Sequence, residues 1–248
     1  MSNSSLVSYV RISPNKNSPR NHAIDTITIH CMAGNLSVES CGELFAAPSR
    51  QASSNYGIGS DGRIGLYVEE KDRSWCSSSA ANDNRAITIE VANNGGGPDW
   101  PVSESAYESL ILLLTDICER NGIKRLLWQA NKDLVGRIEL QNMTVHRWFA
   151  NKSCPGDYLY RKHSEIADRV NALLSRHGQE SIPVSQNRTY RTLEDVPDVY
   201  RPVIRKIMAR GIFVGYDIRQ PEIFEDNIID VSEEFCRIML VLDRAGLL

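Results

Sequence analysis

Three residues carry side chains that commonly bind zinc and lie where the surrounding pattern would hold them in place. His30 ends an alternating segment, His146 lies in Met143-Thr-Val-His-Arg-Trp, and Cys154 precedes Pro155-Gly156. Imidazole nitrogens and a thiolate suit tetrahedral zinc, and three protein ligands leave the fourth position to water. The residues are therefore candidate ligands of a catalytic zinc ion. Their spacing matches no short zinc motif, so scattered surface histidines and a buried cysteine remain the alternative.

Two charged residues could act beside these ligands. Glu90 lies on the polar face of an alternating segment, at the same relative position as His30, and Lys152 precedes Cys154 by two residues. A carboxylate near a metal can act as a general base, and a lysine can stabilise an oxyanion. Each also has an ordinary explanation, because a charge on an edge strand hinders aggregation and most lysines are simply exposed. The remaining histidines are predicted to be solvated: His22, His163 and His177.

Cys154 could instead be a nucleophile with His146 as its base. Pro155-Gly156 follows it, so the sequence does not place Cys154 inside a helix N-terminus that would lower its pKa. The metal interpretation also accounts for His30. We therefore favour metal binding, and chelator sensitivity would separate the two.

Hydrophobic periodicity predicts the elements that position these residues. Strands are expected at residues 24–31 and 86–92, and a hairpin at 55–59 and 63–68 around the turn Ser60-Asp61-Gly62. Helices are expected at residues 37–47 and 157–176. A further helix is expected to begin at a capping box formed by Ser105 and Glu108 and to end at Asn121. This order of elements predicts an α/β (α+β) fold, with a central mixed β-sheet and helices packed on it.

The chain is predicted to contain two domains. A polar segment with Gly178 and Pro183 indicates a linker over residues 177–188, between a catalytic domain (1–176) and a small C-terminal domain (189–248). Helices predicted at 198–210 and 231–244 make the second domain mainly helical. Such a small unit has a marginal core, so we expect it to pack on a neighbour, a second copy or a ligand.

Composition excludes several classes of protein. The longest apolar runs have five residues, against the roughly 20 of a membrane-spanning helix. The net charge is -3, with no run of five like charges, which argues against nucleic acid as a partner. The first residues show no signal-peptide pattern, so synthesis in the cytoplasm without a signal peptide is expected. The six cysteines are expected to be thiols.

Four separated stretches resemble one known family in the same order. They are 27–30 (Ile-Thr-Ile-His), 54–62 (Ser-Asn-Tyr-Gly-Ile-Gly-Ser-Asp-Gly), 84–91 (Asn-Arg-Ala-Ile-Thr-Ile-Glu-Val), and 144–156, which contains Thr-Val-His and Lys-Ser-Cys-Pro-Gly. These stretches resemble the zinc-dependent N-acetylmuramoyl-L-alanine amidases, the type-2 amidase and peptidoglycan-recognition-protein superfamily. The resemblance spans about residues 20 to 175.

The resemblance implies roles for individual residues. His30, His146 and Cys154 would bind Zn2+, and Glu90 would activate the attacking water. Lys152 matches a lysine two residues before the last ligand. Tyr56 matches a tyrosine that some members use near the metal. Which catalytic roles fall to Tyr56 and which to Glu90 is therefore left open. The chain departs from many relatives at Trp75-Cys76-Ser77-Ser78, where they have a histidine shortly after the tryptophan.

The resemblance also implies a substrate and a setting. The expected reaction is hydrolysis of the amide bond between N-acetylmuramic acid and the L-alanine of the peptidoglycan stem peptide. We expect a phage endolysin that lyses a Gram-positive, clostridial-type host after release through a holin pore. The C-terminal domain would bind a wall polymer or associate with itself. The alternatives are a bacterial autolysin with the same chemistry and a peptidoglycan-recognition module that does not cut.

Overall fold

The computed structural model of the 248-residue chain describes residues 2–179, 189–211, 229, 231–244 and 248. They form two compact units, Met1–Glu180 and Ser181–Leu248. None of the helices in these parts of the chain is both long and apolar enough to cross a membrane.

The first unit mixes short strands with four α-helices in its described residues. Its strands are β1 (Tyr9–Val10), β2 (Lys16–Asn17), β3 (Thr26–Cys31), β4 (Tyr56–Ile58), β5 (Ile64–Leu66), β6 (Arg73–Ser74), β7 (Ala86–Val91) and β8 (Met143–Thr144). Its helices are α1 (Val38–Ala46), α2 (Ala80–Arg85), α3 (Glu104–Asn121) and α4 (Gly156–Gln179). Six strands form one sheet in the order β1-β5-β4-β7-β3-β8, with only the β4–β5 hairpin antiparallel. This confirms the predicted central mixed sheet.

The apolar face of the two central strands builds the core. Ile29 and Ile89 have no exposed surface and belong to one hydrophobic cluster with Leu110 and Leu114 of α3. Burying each such side chain stabilises the fold by about 1.5–3 kcal/mol. Helix α3 begins after Ser103, whose hydroxyl accepts a hydrogen bond from the amide of Ala106, so the predicted Ser105–Glu108 box is wrong. Ser103 is the N-cap residue because Ser105 already lies inside the first turn of the helix.

The polar face of the same strands is also buried. The hydroxyl of Thr28 contacts that of Thr144 at 2.8 Å, and the Asn82 amide donates to Thr28 and accepts from Thr144. On β7, Thr88 is within 2.7 Å of the Ser74 hydroxyl. Buried polar groups need such partners. This layer fixes the strands directly below their last polar residues, which are His30 on β3 and Glu90 on β7.

Arg20 ties the loop before β6 to the start of β7. Its buried guanidinium donates to five main-chain carbonyls, those of Glu70, Asp72, Asp83, Asn84 and Ala86. A charged, planar donor with five N–H groups suits this arrangement.

The second unit has its own small core. It contains α5 (Arg201–Ala209), α6 (Glu233–Arg244) and an antiparallel pair, β9 (Thr189–Tyr190) with β10 (Val231–Ser232). Val203, Ile204 and Ile207 of α5 pack with Cys236 of α6. Both helices lie within the predicted ranges, and the segment 212–228 between them lies outside the described residues.

Candidate metal centre

Strand register places His30 beside Glu90. β3 and β7 are parallel, and His30 is paired with Glu90. Paired residues of neighbouring parallel strands project from the same face of the sheet. Both lie at the carboxyl end of the sheet, above the buried threonine layer. The imidazole of His30 has no exposed surface.

The segment after β8 brings the other two predicted ligands to the same edge. β8 is parallel to β3 and ends at Thr144, and a short 3-10 turn then begins at His146. Arg147 closes the following loop, because its amide donates to the carbonyl of Cys154 at 3.1 Å and its guanidinium to that of Ser153 at 2.6 Å. This loop returns Cys154 to the end of β3.

The three side chains converge to within coordination range. His30 Nδ1 lies 3.3 Å from Cys154 Sγ, the two imidazole centroids are 5.1 Å apart, and one ligand atom from each residue lies within 4.8 Å of the others. Zn–N and Zn–S bonds at a tetrahedral angle would separate the first two atoms by about 3.5 Å. The arrangement thus needs little rearrangement to hold a zinc-sized ion.

Electrostatics keeps both imidazoles neutral. Burial, followed by the nearby His146, holds the pKa of His30 well below its usual value. Burial, followed by the charge of Lys152, lowers the pKa of His146. Neutral imidazoles are the form that binds metals.

Cys154 is a thiol when no metal is bound. A hydrogen bond with the Cys31 side chain, followed by burial, raises the pKa of Cys154 well above its usual value. The amide of Cys31 also donates to Cys154 Sγ at 3.4 Å. Helix α4 begins at Gly156, closer to Cys154 than the sequence argument assumed. The raised pKa nevertheless opposes the thiolate that a cysteine nucleophile needs.

Glu90 is a half-buried carboxylate with one oxygen to spare. Burial raises its pKa to about 8. Its Oε1 lies 3.8 Å from the Sγ of Cys76, whereas its Oε2 is buried and has no hydrogen-bond partner among the described residues. Nε2 of His30 is likewise buried and has no hydrogen-bond partner among the described residues. A buried polar atom without a protein partner needs an explanation, and a bound ion or water is one.

Glu90, His146 and Cys154 line a cleft of about 520 Å3. Its lining also includes large apolar side chains: Met32, Leu36, Leu44, Phe45 and Trp75. Lys152 also lines this cleft and is exposed, so its ammonium can reach a bound ligand. The arrangement suits an extended ligand with a polar group beside the imidazoles.

Tyr56 does not belong to this cleft, contrary to the resemblance-based expectation. It is paired with Ile89, so its side chain enters the hydrophobic core on the other face of the sheet. Its hydroxyl donates to Glu70 at 2.6 Å and accepts from the amide of Ser4. The neighbouring Gly57 is the residue paired with Glu90.

His163 also differs from its prediction as a surface residue. It is fully buried in α4, its ring lies 4.4 Å from that of Trp128, and burial lowers its pKa to about 4. His22 is exposed as predicted. The side chain of His177 lies outside the described residues.

The loop before α2 supplies contacts that the sequence did not reveal. The Ser78 hydroxyl lies 3.0 Å from His146 Nε2, which leaves Nδ1 of that ring for a metal. The Asp83 carboxylate accepts from the amides of Cys76 and Ser77 and so fixes this loop. Serines and aspartates in polar loops give no signal of such contacts. The departure from the family pattern around Cys76 was the only indication.

Comparison with solved structures gives distant likenesses over about two thirds of the chain. The hydrolase AmiA of Staphylococcus aureus, solved with its ligand, has a TM-score of 0.50 and 14% identity, covering 71% of this chain and 86% of its own. AmpD has a TM-score of 0.49 and 18% identity over 66% and 96% of the two chains. The endolysin amidase LysCS of Clostridium intestinale URNW has a TM-score of 0.43 and 16% identity, covering 64% of this chain and 91% of its own. No curated protein matches the chain.

Comparison with protein families gives a direct assignment. The profile described as N-acetylmuramoyl-L-alanine amidase matches residues 20–157, which is more than half of the chain. This range contains the four motifs and all the residues of the cluster. On this basis the chain belongs to the N-acetylmuramoyl-L-alanine amidase family.

Proposed function

We propose that the chain is a zinc-dependent hydrolase that cleaves the amide bond between N-acetylmuramic acid and the L-alanine of the peptidoglycan stem peptide. The observation that carries this proposal is the convergence of His30, His146 and Cys154 beside the unpartnered oxygen of Glu90. Family membership supplies the substrate class.

Zinc fits the donors that the cluster presents. Two neutral imidazoles and one cysteine are a common zinc ligand set, and three protein ligands are typical of catalytic sites. When bound there, zinc would polarise the amide carbonyl and lower the pKa of water. Because Cys154 starts as a thiol, binding requires it to lose a proton.

Glu90 is positioned to move the protons of the reaction. It projects from the same sheet face as His30, and its Oε2 is free to accept a proton from the attacking water. A zinc ion held by the three ligands would favour the ionised form of Glu90, against the burial that raises its pKa. Glu90 would then protonate the departing amine, which is a poor leaving group until it gains a proton.

Lys152 is proposed to stabilise the oxyanion that develops on the amide carbonyl. Its side chain lies at the cleft beside His146, whose pKa its charge lowers. Losing one such contact typically reduces turnover by about 100- to 1,000-fold where the site excludes water. The exposure of Lys152 argues for the lower end of this range.

Variants of Glu90 and Cys154 test the division of roles. Glu90→Gln should keep about one zinc per chain and lose most activity, because the amide cannot accept a proton. Cys154→Ser should lose zinc and activity together. If Glu90→Gln retained wild-type turnover, the proposed role of Glu90 would be wrong.

The presence of all these groups favours catalysis over recognition alone. A module that only binds peptidoglycan has no need for a third metal ligand or for a buried carboxylate beside the cluster. We further propose that the enzyme acts as a phage endolysin on a Gram-positive, clostridial-type wall and reaches it through a holin pore. A bacterial autolysin with the same chemistry is the alternative.

The second unit is proposed to bind a wall polymer. Its separate core of α5 and α6 allows it to act as a module, and tethering would raise the concentration of enzyme at the wall. Self-association is the alternative. A chain ending at residue 180 should lose affinity for purified walls while keeping zinc. Unchanged wall binding would contradict the targeting role, and a shift from dimer to monomer on truncation would support self-association.

A further inference from the structure

A second group of metal-binding side chains lies next to the first. Cys76, Glu90 and His30 each offer one ligand atom, and these atoms lie within 4.8 Å of one another. Cys76 lies in Trp75-Cys76-Ser77-Ser78, the stretch where the sequence departs from the family pattern.

The spacing of Cys76 and Glu90 also fits a shared cation. The Cys76 thiol donates a weak hydrogen bond to Glu90 Oε1 at 3.8 Å, and a cation could take its place once the thiol loses its proton. Zn–S and Zn–O bonds at a tetrahedral angle would separate the two atoms by about 3.6 Å. The pair is thus nearly spaced as two ligands of one ion.

Two buried atoms of this second group are available to bind a further ligand. Oε2 of Glu90 and Nε2 of His30 are buried and have no hydrogen-bond partner among the described residues. Nδ1 of His30 is the nitrogen that faces Cys154. The loop that carries Cys76 is held by the Asp83 carboxylate, which accepts hydrogen bonds from the amides of Cys76 and Ser77.

We propose that Cys76 and Glu90, together with His30, form a second divalent-cation position beside the first. Sulfur, carboxylate oxygen and imidazole are all zinc ligands, so zinc fits here as well. The two positions share the imidazole of His30, which must lose its remaining N–H proton to offer both nitrogens, so the second ion binds more weakly than the first. An ion held by Glu90 occupies the carboxylate that the hydrolysis needs. Excess zinc would therefore inhibit the enzyme. This inhibition rests on the proposed function, whereas the binding of the second ion does not.

The test is a metal titration of the full, reduced, metal-free chain. Zinc bound per chain is measured by equilibrium dialysis, and thiolate–cadmium absorption is followed with Cd2+ as the probe. Wild type should bind two ions, the second at least tenfold more weakly. Cys76→Ser and Glu90→Gln should each bind one, and Cys76→Ser should lose the cadmium absorption that accompanies the second ion.

Cys31→Ser is the matched control, because Cys31 is a thiol of the same cleft that contacts Cys154 and is not in the second group. It should still bind two ions. The proposal is overturned if wild type saturates at one ion, or if Cys31→Ser loses the second ion while Cys76→Ser keeps it. An inactive enzyme that binds two ions in this pattern would refute the proposed function and leave this site standing.

Discussion

Replacing Glu90 by glutamine should remove a pH-dependent destabilisation of the metal-free protein. Burial raises the pKa of Glu90 to about 8, from 4.5 for a free side chain. As pH rises through this interval, the unfolded chain releases the proton while the folded chain holds it. Ionisation therefore favours the unfolded state, and stability falls as pH rises from about 4.5 to 8.

The size of the effect follows from the two pKa values. Linkage gives a loss of about 3.5 kcal/mol for the wild type between pH 5 and pH 8, as an upper value. Glutamine does not titrate, so Glu90→Gln lacks this loss. The free energy of unfolding of the variant, relative to wild type, should therefore rise by up to about 3.5 kcal/mol over the same interval.

Urea unfolding of both proteins at pH 5 and pH 8, in the presence of a chelator, measures this difference. Glu139→Gln is the control, because Glu139 is exposed and does not line the cleft. It should leave the pH dependence of wild type unchanged. A stability difference between Glu90→Gln and wild type that is the same at both pH values would refute the account of a buried, proton-holding carboxylate.

Three further predictions follow from single contacts. Uptake of the first zinc ion at pH 7 should release up to about two protons, one from the Cys154 thiol and one from the Glu90 carboxyl, whose pKa of about 8 keeps it protonated without metal. Glu90→Gln should lower the release to about one proton, as measured in weakly buffered solution. Tyr56→Phe should keep activity but lose about 1–2 kcal/mol of stability in urea unfolding, because it removes a buried hydrogen bond to Glu70. Arg20→Ala should lose at least about 3 kcal/mol in the same assay, because it leaves buried carbonyls without their charged donor.

Each of these predictions has a contradicting result. Zinc binding without proton release would mean that Cys154 is already a thiolate. A large loss of turnover in Tyr56→Phe at normal stability would return Tyr56 to the catalytic machinery. An Arg20→Ala variant as stable as wild type would show that the five carbonyls do not depend on this charged donor.

The placement of the central pair could be predicted from the sequence because it depends on alternation. Thr28 and His30 share one face of their strand, as Thr88 and Glu90 do of theirs, and the strands ended where the polar residues suggested. The convergence of His146 and Cys154 on His30 depends on contacts more than 100 residues apart along the chain. Residue chemistry made these three residues candidate ligands, but only the family motifs indicated that they come together.

The errors arose where the answer depends on register or on tertiary packing. Whether Tyr56 or Gly57 faces the cleft is decided by pairing with β7, and a shift of one residue exchanges the two faces. His163 follows a lysine and has no local sign of burial, yet Trp128 covers it. Ser78 contacts His146 only because Asp83 holds its loop. No pattern within a short window contains these interactions.

Digestion of purified Gram-positive peptidoglycan, with and without a chelator, tests the central claim most directly. The products are scored for new amino groups of L-alanine and for new reducing sugar ends. We predict new amino groups without new reducing ends, with activity abolished by the chelator and restored by zinc. Binding of the protein to the walls with neither product, in every peptidoglycan type tried, would contradict the account and make Glu90 a structural carboxylate.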